Sequence, residues 1–281
     1  MKYAYYPGCA GESTAKEYDD SVKEVCQILG IELEELEDWN CCGASSGHST
    51  SYLMSHALAG RNLAIAEKAG LDTVAPCPAC FLRLKATRHE VLKNDSLQKE
   101  LEKVLGTKYT AAYDARNILD IIYNDVGLEK VREKVVKPLK GLKLVCYYGC
   151  YLVRPPEVVC FDEPENPRSM DELLITLGAE IPDWSAKVDC CGGSFSLSRK
   201  DIVIKLVSDI TGAAREVGAD GIVTACGLCE TNLDTRQGSD PLPIFYFTEL
   251  MGLAMGSTKA KSWFKKHITS PLKLLGSYGL I

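Results

Sequence analysis

Short apolar runs alternate with amphipathic stretches along the chain. In the first half the pattern predicts strands at 2–6, 31–37 and 71–75 and helices at 14–29, 51–68 and 81–105, the last as one helix or two. In the second half it predicts strands at 142–148, 179–183 and 221–224 and helices at 170–177 and near 202–217. This alternation is typical of an α/β fold with small parallel sheets flanked by helices.

The cysteines form a pattern that occurs twice. Each copy has one single cysteine, then a vicinal pair, then Cys-x-x-Cys: Cys9, Cys41, Cys42, Cys77 and Cys80, followed by Cys150, Cys190, Cys191, Cys226 and Cys229. The pair and the Cys-x-x-Cys are separated by 34 residues in both copies, whereas the first gap is 31 residues in one and 39 in the other. Asp-Trp precedes and Gly follows the pair in both copies. The chain is therefore predicted to contain two pseudo-symmetric repeats.

The repeat sets the predicted domain organisation. Residues 1–138 form the first repeat, 139–256 the second and 257–281 a C-terminal tail, with a linker at 124–141. The longer gap of the second copy comes mostly from a proline-rich insert at 154–167, which is typical of an irregular loop. The tail carries both basic and apolar residues, so it either docks on a partner or covers the core of this chain.

Each of the six predicted strands leads into one of the repeated cysteine positions. The carboxyl ends of parallel strands meet at one edge of a sheet, so the five sulfurs of each half should form a single site. The three remaining cysteines lie outside this pattern. Cys26 falls in a helical apolar pattern and Cys146 in a strand, and both are expected to pack in the core. The role of Cys160, which lies in the insert, is not assigned.

Charge and composition exclude several classes of function. Hydrophobic residues make up 46% and charged residues 25%, as in ordinary globular proteins. The net charge of −6, with no Lys/Arg run, argues against nucleic acid as a partner. The longest apolar stretch, 242–256, contains Glu249 and is shorter than the roughly 20 residues that span a bilayer, and no signal-peptide pattern opens the chain. A cytoplasmic protein without a membrane span is expected.

Thirteen cysteines in a reducing compartment favour metal binding over disulfides. A structural zinc site is closed by four ligands, whereas each half offers five thiols. Vicinal cysteines reach two irons of a cluster more easily than one small ion, so iron–sulfur chemistry fits better, with zinc as the alternative. Gly43 and Gly192, which follow the pairs, suit either close backbone approach to a cluster or an ordinary turn.

The duplicated pattern resembles the cysteine-rich CCG domain, present twice as in the B-type subunit of heterodisulfide reductase. The resemblance covers nearly the whole chain and implies one noncubane [4Fe-4S] cluster in each half, with the ten repeated cysteines as ligands. In that family a disulfide, the mixed disulfide of coenzyme M and coenzyme B in methanogens, binds between the two clusters. The resemblance also implies a ferredoxin-like iron–sulfur subunit of the C type and a flavin-containing subunit of the A type as partners, and a small anionic disulfide as substrate.

Proton supply and substrate charge have less specific candidates. His48 and His56 follow the first vicinal pair and are either proton donors or capping and surface residues. Four basic residues follow the cysteines and either meet an anionic substrate or partner or are simply solvated: Arg83, Lys85, Arg154 and Arg199.

Two other functions compete with disulfide reduction. One is an electron-transfer subunit of a hydroxyacid- or dicarboxylate-linked oxidoreductase, where CCG domains also occur. The other is a zinc-binding scaffold without catalysis. The chain has no ferredoxin-type run of cysteines and no nucleotide-binding glycine motif, so it should depend on another subunit for its electrons.

Overall fold

A computed structural model describes residues 1–44 and 47–281. Its strands are β1 (Lys2–Tyr5), β2 (Glu32–Glu35), β3 (Thr73–Ala75), β4 (Ala115–Asn117), β5 (Leu144–Tyr147), β6 (Gly221–Thr224) and β7 (Ile244–Tyr246). The helices of the first half are α1 (Gly8–Gly11), α2 (Lys16–Leu29), α3 (Gly47–Thr50), α4 (Tyr52–Ala69), α5 (Pro78–Lys93), α6 (Asp95–Leu105), α7 (Ile118–Asp120), which continues as a π-helical turn (Ile121–Val126), and α8 (Leu128–Glu133). Those of the second half and tail are α9 (Pro156–Val159), α10 (Ser169–Thr176), a 3₁₀ turn (Gly193–Phe195), α11 (Lys200–Glu216), α12 (Gly227–Thr235), α13 (Phe247–Ala254), α14 (Ala260–Trp263) and α15 (Leu272–Ser277).

The two halves contain equivalent parallel sheets. The first sheet has the order β2-β1-β3-β4 and the second the order β5-β6-β7. In the second half, an isolated parallel bridge between Lys143 and Glu180 lies beside β5. It occupies the position that β2 has beside β1 in the first half. The predicted α/β class with two pseudo-symmetric repeats is therefore confirmed.

Some predicted elements differ from those observed. The strand expected at 179–183 is only the bridge at Glu180, because Pro182 has no N–H group to continue the ladder. Residues 81–105, predicted as one helix or two, form two helices divided at Asn94, whose side chain caps the second. Strands β4 and β7, each three residues long, were not predicted. The predicted linker at 124–141 includes α8.

Both halves contribute to one apolar core. Helix α2 of the first half packs against α13 of the second. Tyr18 and Tyr246 stack there, with ring centroids 4.3 Å apart and an interplanar angle of 7°. Ser21 Oγ lies 2.6 Å from Thr248 Oγ1 beside this stack. The two repeats are therefore joined by buried aromatic and polar contacts.

The C-terminal tail lies on the core of its own chain. Trp263, Phe264, Leu275 and Leu280 are buried in the cluster that includes residues from both halves. The Lys137 ammonium donates a hydrogen bond to the Leu280 carbonyl at 2.8 Å. Of the two expectations for the tail, the structure shows that it covers the core of this chain. In the described part of the chain, no helix is both long and apolar enough to cross a membrane.

Replacement of Trp263 by alanine should destabilise the fold by about 3–5 kcal/mol, because a large side chain is removed from a filled site. Its ring packs so closely on Gly252 that a Cβ there would lie 2.7 Å from it. Urea unfolding followed by circular dichroism measures the change. Lys261→Ala, an exposed change in the same helix, should stay within about 0.5 kcal/mol. Equal effects of the two substitutions would contradict the docking of the tail.

Candidate metal centres

In the first half, three chain segments bring five thiols together. Cys9 lies in α1 just after β1, the vicinal pair follows β2, and Cys77 is the N-cap of α5 directly after β3. The Sγ atoms of Cys42 and Cys80 are 3.4 Å apart. Burial and the Cys41 thiol raise the pKa of Cys9, and contact with the Cys80 thiol lowers the pKa of Cys77, so these sulfurs also interact. The carboxyl edge of the first sheet therefore carries one continuous group of sulfurs.

The second half repeats this arrangement residue for residue. Cys191 Sγ lies 3.4 Å from Cys229 Sγ, the same distance as in the first half. Contact with the Cys190 thiol raises the pKa of Cys150, and contacts with the Cys191 and Cys226 thiols raise the pKa of Cys229. Cys226 is the N-cap of α12, as Cys77 is of α5. The structure thus brings together each predicted set of five.

Contacts among the thiols favour the thiolate form at part of each site. Hydrogen bonds from Cys80 and Cys229 lower the pKa of Cys77 and of Cys191, respectively, to about 7. A hydrogen bond from Cys150 lowers the pKa of Cys190 to about 6. The Gly192 amide also approaches Cys190 Sγ at 3.3 Å. Each half therefore holds sulfurs close to the ionised form that binds metals.

Two tyrosines fix the loops that carry the vicinal pairs. Tyr6 donates a hydrogen bond to the Asn40 carbonyl at 2.8 Å, and Tyr147 donates one to the Asp189 carbonyl at 2.6 Å. Each carbonyl belongs to the residue just before a vicinal pair. The cysteine motif does not include these tyrosines, although both stand three residues before the single cysteine of their repeat. Aligning the repeats beyond the cysteines would have identified them.

Two buried asparagines also hold the paired-cysteine loops. Asn62 on α4 accepts from the Asn40 amide at 3.0 Å and donates to the Asn40 carbonyl at 2.9 Å. Asn232 on α12 donates to the Cys191 carbonyl at 3.2 Å. Because they come from different elements and lie at different distances from the cysteines along the chain, no repeat signal in the sequence reveals them.

Glycines allow the backbone to approach the sulfurs. Gly8 and Gly149 have φ angles of 70° and 66°. A Cβ on Gly8 would lie 2.9 Å from Cys80 Sγ, and one on Gly149 would lie 3.3 Å from Cys229 Sγ. Gly43 and Gly192 also have positive φ angles, 75° and 76°, as expected for the residues that follow the pairs.

The two sulfur groups are linked through Tyr18. Its hydroxyl donates to the Ala225 carbonyl at 3.0 Å and lies 3.3 Å from the Pro76 carbonyl. These carbonyls directly precede Cys226 and Cys77. Pro78 and Ala79 of the first half also line the cavity that contains the cysteines of the second half. The two sulfur groups are therefore neighbours in one molecule.

An open groove of about 540 Å³ reaches Cys150 between the halves. Leu82 and Arg83 of α5 form one side, and Tyr151, Arg154 and residues of the proline-rich insert form the other. Arg154 pairs with Glu165 at 2.7 Å. Within residues 1–44 and 47–281, Arg83 makes no ion pair or side-chain hydrogen bond, so its charge is available at the groove.

The other candidates from the sequence lie elsewhere. Lys85 pairs with Asp114, and Arg199 pairs with Asp201, so both have local partners. His48 is exposed in α3 and its role as a proton donor stays a prediction. His56 is buried with Nδ1 at 3.0 Å from Thr87 Oγ1, and burial lowers its pKa. The expectation that His56 is a capping or surface residue is therefore wrong.

Of the three remaining cysteines, Cys26 and Cys146 are buried in the core, as expected. Burial raises the pKa of Cys26 to about 12, so this thiol stays protonated. Cys160 is exposed, and its thiol donates to the Pro156 carbonyl at 3.3 Å.

The profile of the CCG cysteine-rich domain matches the chain twice, at residues 3–85 and 144–234. The chain belongs to this family. The matched ranges contain all ten clustered cysteines, five in each range.

Two curated relatives are similar over most of their length. A protein of Archaeoglobus profundus, described as like the B-type subunit of heterodisulfide reductase, is 30% identical over 272 residues, covering 91% of each chain. The 8-methylmenaquinol:fumarate reductase membrane anchor subunit of Wolinella succinogenes is 29% identical over 283 residues, covering 97% of this chain and 99% of that protein. The predicted resemblance to the heterodisulfide reductase family is confirmed.

A solved structure shares the fold. The crystal structure of a hypothetical protein from Helicobacter pylori matches with a TM-score of 0.72 at 12% sequence identity. The match covers 95% of this chain and 51% of that one, so this CCG protein spans about half the length of its structural relative.

The donor set of each half fits an iron–sulfur centre. Its members are soft thiols, they exceed the four ligands of a closed zinc site, and a glycine leaves room beside them. No carboxylate or imidazole from the described residues joins either group in a hydrogen bond.

Cys42→Ser should remove the metal centre of the first half and Cys191→Ser that of the second, because a hydroxyl is a poor ligand for iron. Visible absorption and electron paramagnetic resonance of anaerobically prepared protein measure the loss. Cys26→Ala and Cys160→Ser are the controls, buried and exposed, and should leave both spectra unchanged. Loss of signal in a control equal to that in the ligand variants would contradict the assignment.

Proposed function

We propose that this CCG protein is the iron–sulfur subunit of a heterodisulfide reductase-like complex that reduces a small anionic disulfide. Each half would hold one noncubane [4Fe-4S] cluster on its five cysteines. The observation that carries the proposal is the pair of equivalent five-thiol groups, linked through Tyr18, with a groove between the halves that reaches Cys150 and contains Arg83. The A. profundus relative supports the same assignment. We place the protein in the cytoplasm, where thiols stay reduced for metal binding.

Reduction of one disulfide to two thiols consumes two electrons and two protons. When bound, the two clusters would supply the electrons, one from each half. A duplicated site has a chemical advantage, because a single one-electron carrier would leave a reactive thiyl radical on the fragment released first. Tyr18 and the core shared by α2 and α13 hold the two halves at fixed positions relative to each other.

The groove supplies the binding contacts in this proposal. Arg83 has no partner in the described part of the chain, so it can pair with an anionic group of the substrate without breaking an existing ion pair. Tyr151 and Leu82 give the groove an apolar surface for the carbon chain of the disulfide. The electrons would come from a ferredoxin-like subunit and, behind it, a flavin-containing subunit, because the chain has no cysteine run for a second type of cluster.

A second function is favoured by one observation. The fumarate reductase subunit of W. succinogenes matches this chain nearly end to end. In that case the same two centres would pass electrons in a dicarboxylate-linked complex, and no disulfide would be cleaved.

Anaerobically prepared protein should contain about 8 Fe per chain with matching acid-labile sulfide, as two four-iron clusters require. Elemental and sulfide analysis measure both quantities on the same sample. Brown protein supports the clusters. Colourless protein with zinc in place of iron would identify the scaffold alternative.

Removal of either centre should abolish disulfide reduction instead of halving it, because the two half-sites act as a unit. Wild-type, Cys41→Ser and Cys190→Ser chains would be assembled with their partner subunits and supplied with reduced ferredoxin. The assay counts thiols released from the coenzyme M–coenzyme B disulfide and from other anionic disulfides. Half of the activity in either variant would reject the paired mechanism. Electron flow to fumarate without thiol release would favour the second function.

Arg83→Gln should raise the KM for an anionic disulfide about tenfold and leave kcat within about twofold, because a charged hydrogen bond to the substrate is lost. The control is Lys93→Gln, which removes the same charge from the exposed end of the same helix. A neutral disulfide should show no such change. An equal effect on both disulfides would mean that Arg83 acts on folding and not on substrate charge.

A further inference from the structure

A second group of possible metal ligands lies apart from the thiols. Glu230 and Asp234 lie on α12, and His267 comes from the tail; one ligand atom from each lies within 4.8 Å of the others. All three residues are buried. No sequence motif links the three, because His267 is distant from the other two along the chain and reaches them only when the tail docks.

The imidazole of His267 is oriented as in a metal site. Its Nε2 lies 2.9 Å from Glu249 Oε1 and donates to that carboxylate. When the ring is neutral, the other nitrogen, Nδ1, carries a free lone pair; it is buried and makes no hydrogen bond. It lies 3.6 Å from Glu230 Oε1, inside the group. A carboxylate that fixes one imidazole nitrogen while the other faces acidic ligands is a common support for protein-bound metals.

The charge of the group also calls for a cation. The side chain of Glu249 is fully buried and that of Glu230 is 9% exposed. In the portion of the chain that the structure describes, no lysine or arginine forms an ion pair with Glu230, Asp234 or Glu249. Even a protonated His267 would offset only one of the three carboxylates. His267 pairs with Glu230 and Glu249, and the carboxylates that exceed this single counter-charge are costly to bury. A divalent ion that displaces the proton of His267 would reduce this penalty.

We propose that Glu230, Asp234 and His267 bind one divalent transition-metal ion, with Glu249 orienting the imidazole. Oxygen and imidazole donors select an ion of the manganese, iron or zinc type, unlike the soft thiols of the cluster sites. Asp234 also accepts hydrogen bonds from the Ile268 and Thr269 amides at 2.7 and 2.8 Å. The ion therefore fastens the tail to α12, the helix that begins just after Cys226.

Mn²⁺ is a suitable probe, because it prefers oxygen and nitrogen donors and binds thiolates weakly. The full-length protein with its iron–sulfur centres would be analysed for metals, treated with a mild chelator and titrated with Mn²⁺. The free ion is followed by its six-line electron paramagnetic resonance signal. One Mn²⁺ per chain is expected, and pulsed spectroscopy should show a nitrogen coupling from the His267 imidazole.

Substitutions of two ligands test whether the ion binds at this group. Glu230→Gln and Asp234→Asn should each weaken Mn²⁺ binding at least tenfold, because each replaces a charged ligand with a neutral one of similar shape. Asp209→Asn, an exposed aspartate on α11, is the control and should bind as the wild type does.

Two results would overturn the proposal. The first is wild-type protein that neither retains a divalent metal beyond its iron–sulfur centres nor binds Mn²⁺. The second is bound Mn²⁺ without nitrogen coupling, or with full affinity in both ligand variants. The wild-type measurements decide the question even if a variant fails to fold. In either case the group would be a proton-sharing anchor for the tail.

Discussion

The architecture depends on gathering five thiols from three distant segments of chain in each half. A parallel sheet achieves this because its strands all end at one edge, so the residues that follow neighbouring strands meet. The single cysteine, the vicinal pair and the Cys-x-x-Cys each follow such a strand position. The sheets need only be short, since their task is to bring loop ends together. Three to four residues per strand are enough when helices cover both faces.

The sheet edge brings the sulfurs together, but further contacts must hold the loops that carry them. Tyr6 and Tyr147 hold the carbonyls just before the vicinal pairs, and the glycines before Cys9 and Cys150 leave room for the Cys-x-x-Cys. The stack of Tyr18 on Tyr246 then fixes one half to the other. Because these contacts are buried, the fold sets the spacing of the two sulfur groups.

The repeat in the sequence was enough to predict the class of fold and the two groups of cysteines, because spacing that recurs in both copies reflects the same geometry twice. It could not predict β4 and β7, because neither strand leads into a repeated cysteine cluster. Pro182 shortened a predicted strand, an effect of one missing N–H group that apolar patterning does not register. The ligands of the Glu230 group come from α12 and the tail, and only tertiary packing places them together.

The two halves are symmetric at the sulfurs but not at their approaches. On one side, Ala15 of the first half packs closely against the start of α12, where a Cβ on Gly227 would lie 3.1 Å from the Ala15 Cβ. On the other side, the proline-rich insert that follows Cys150 packs through α9 against α5 and leaves the groove beside Arg83. The residue equivalent to Arg83 in the second repeat is Asn232, which is buried and holds the Cys191 carbonyl. Duplication therefore supplies two equivalent groups of thiols, whereas the insert leaves a groove on one side only, which reaches Cys150 beside Arg83 of the first half.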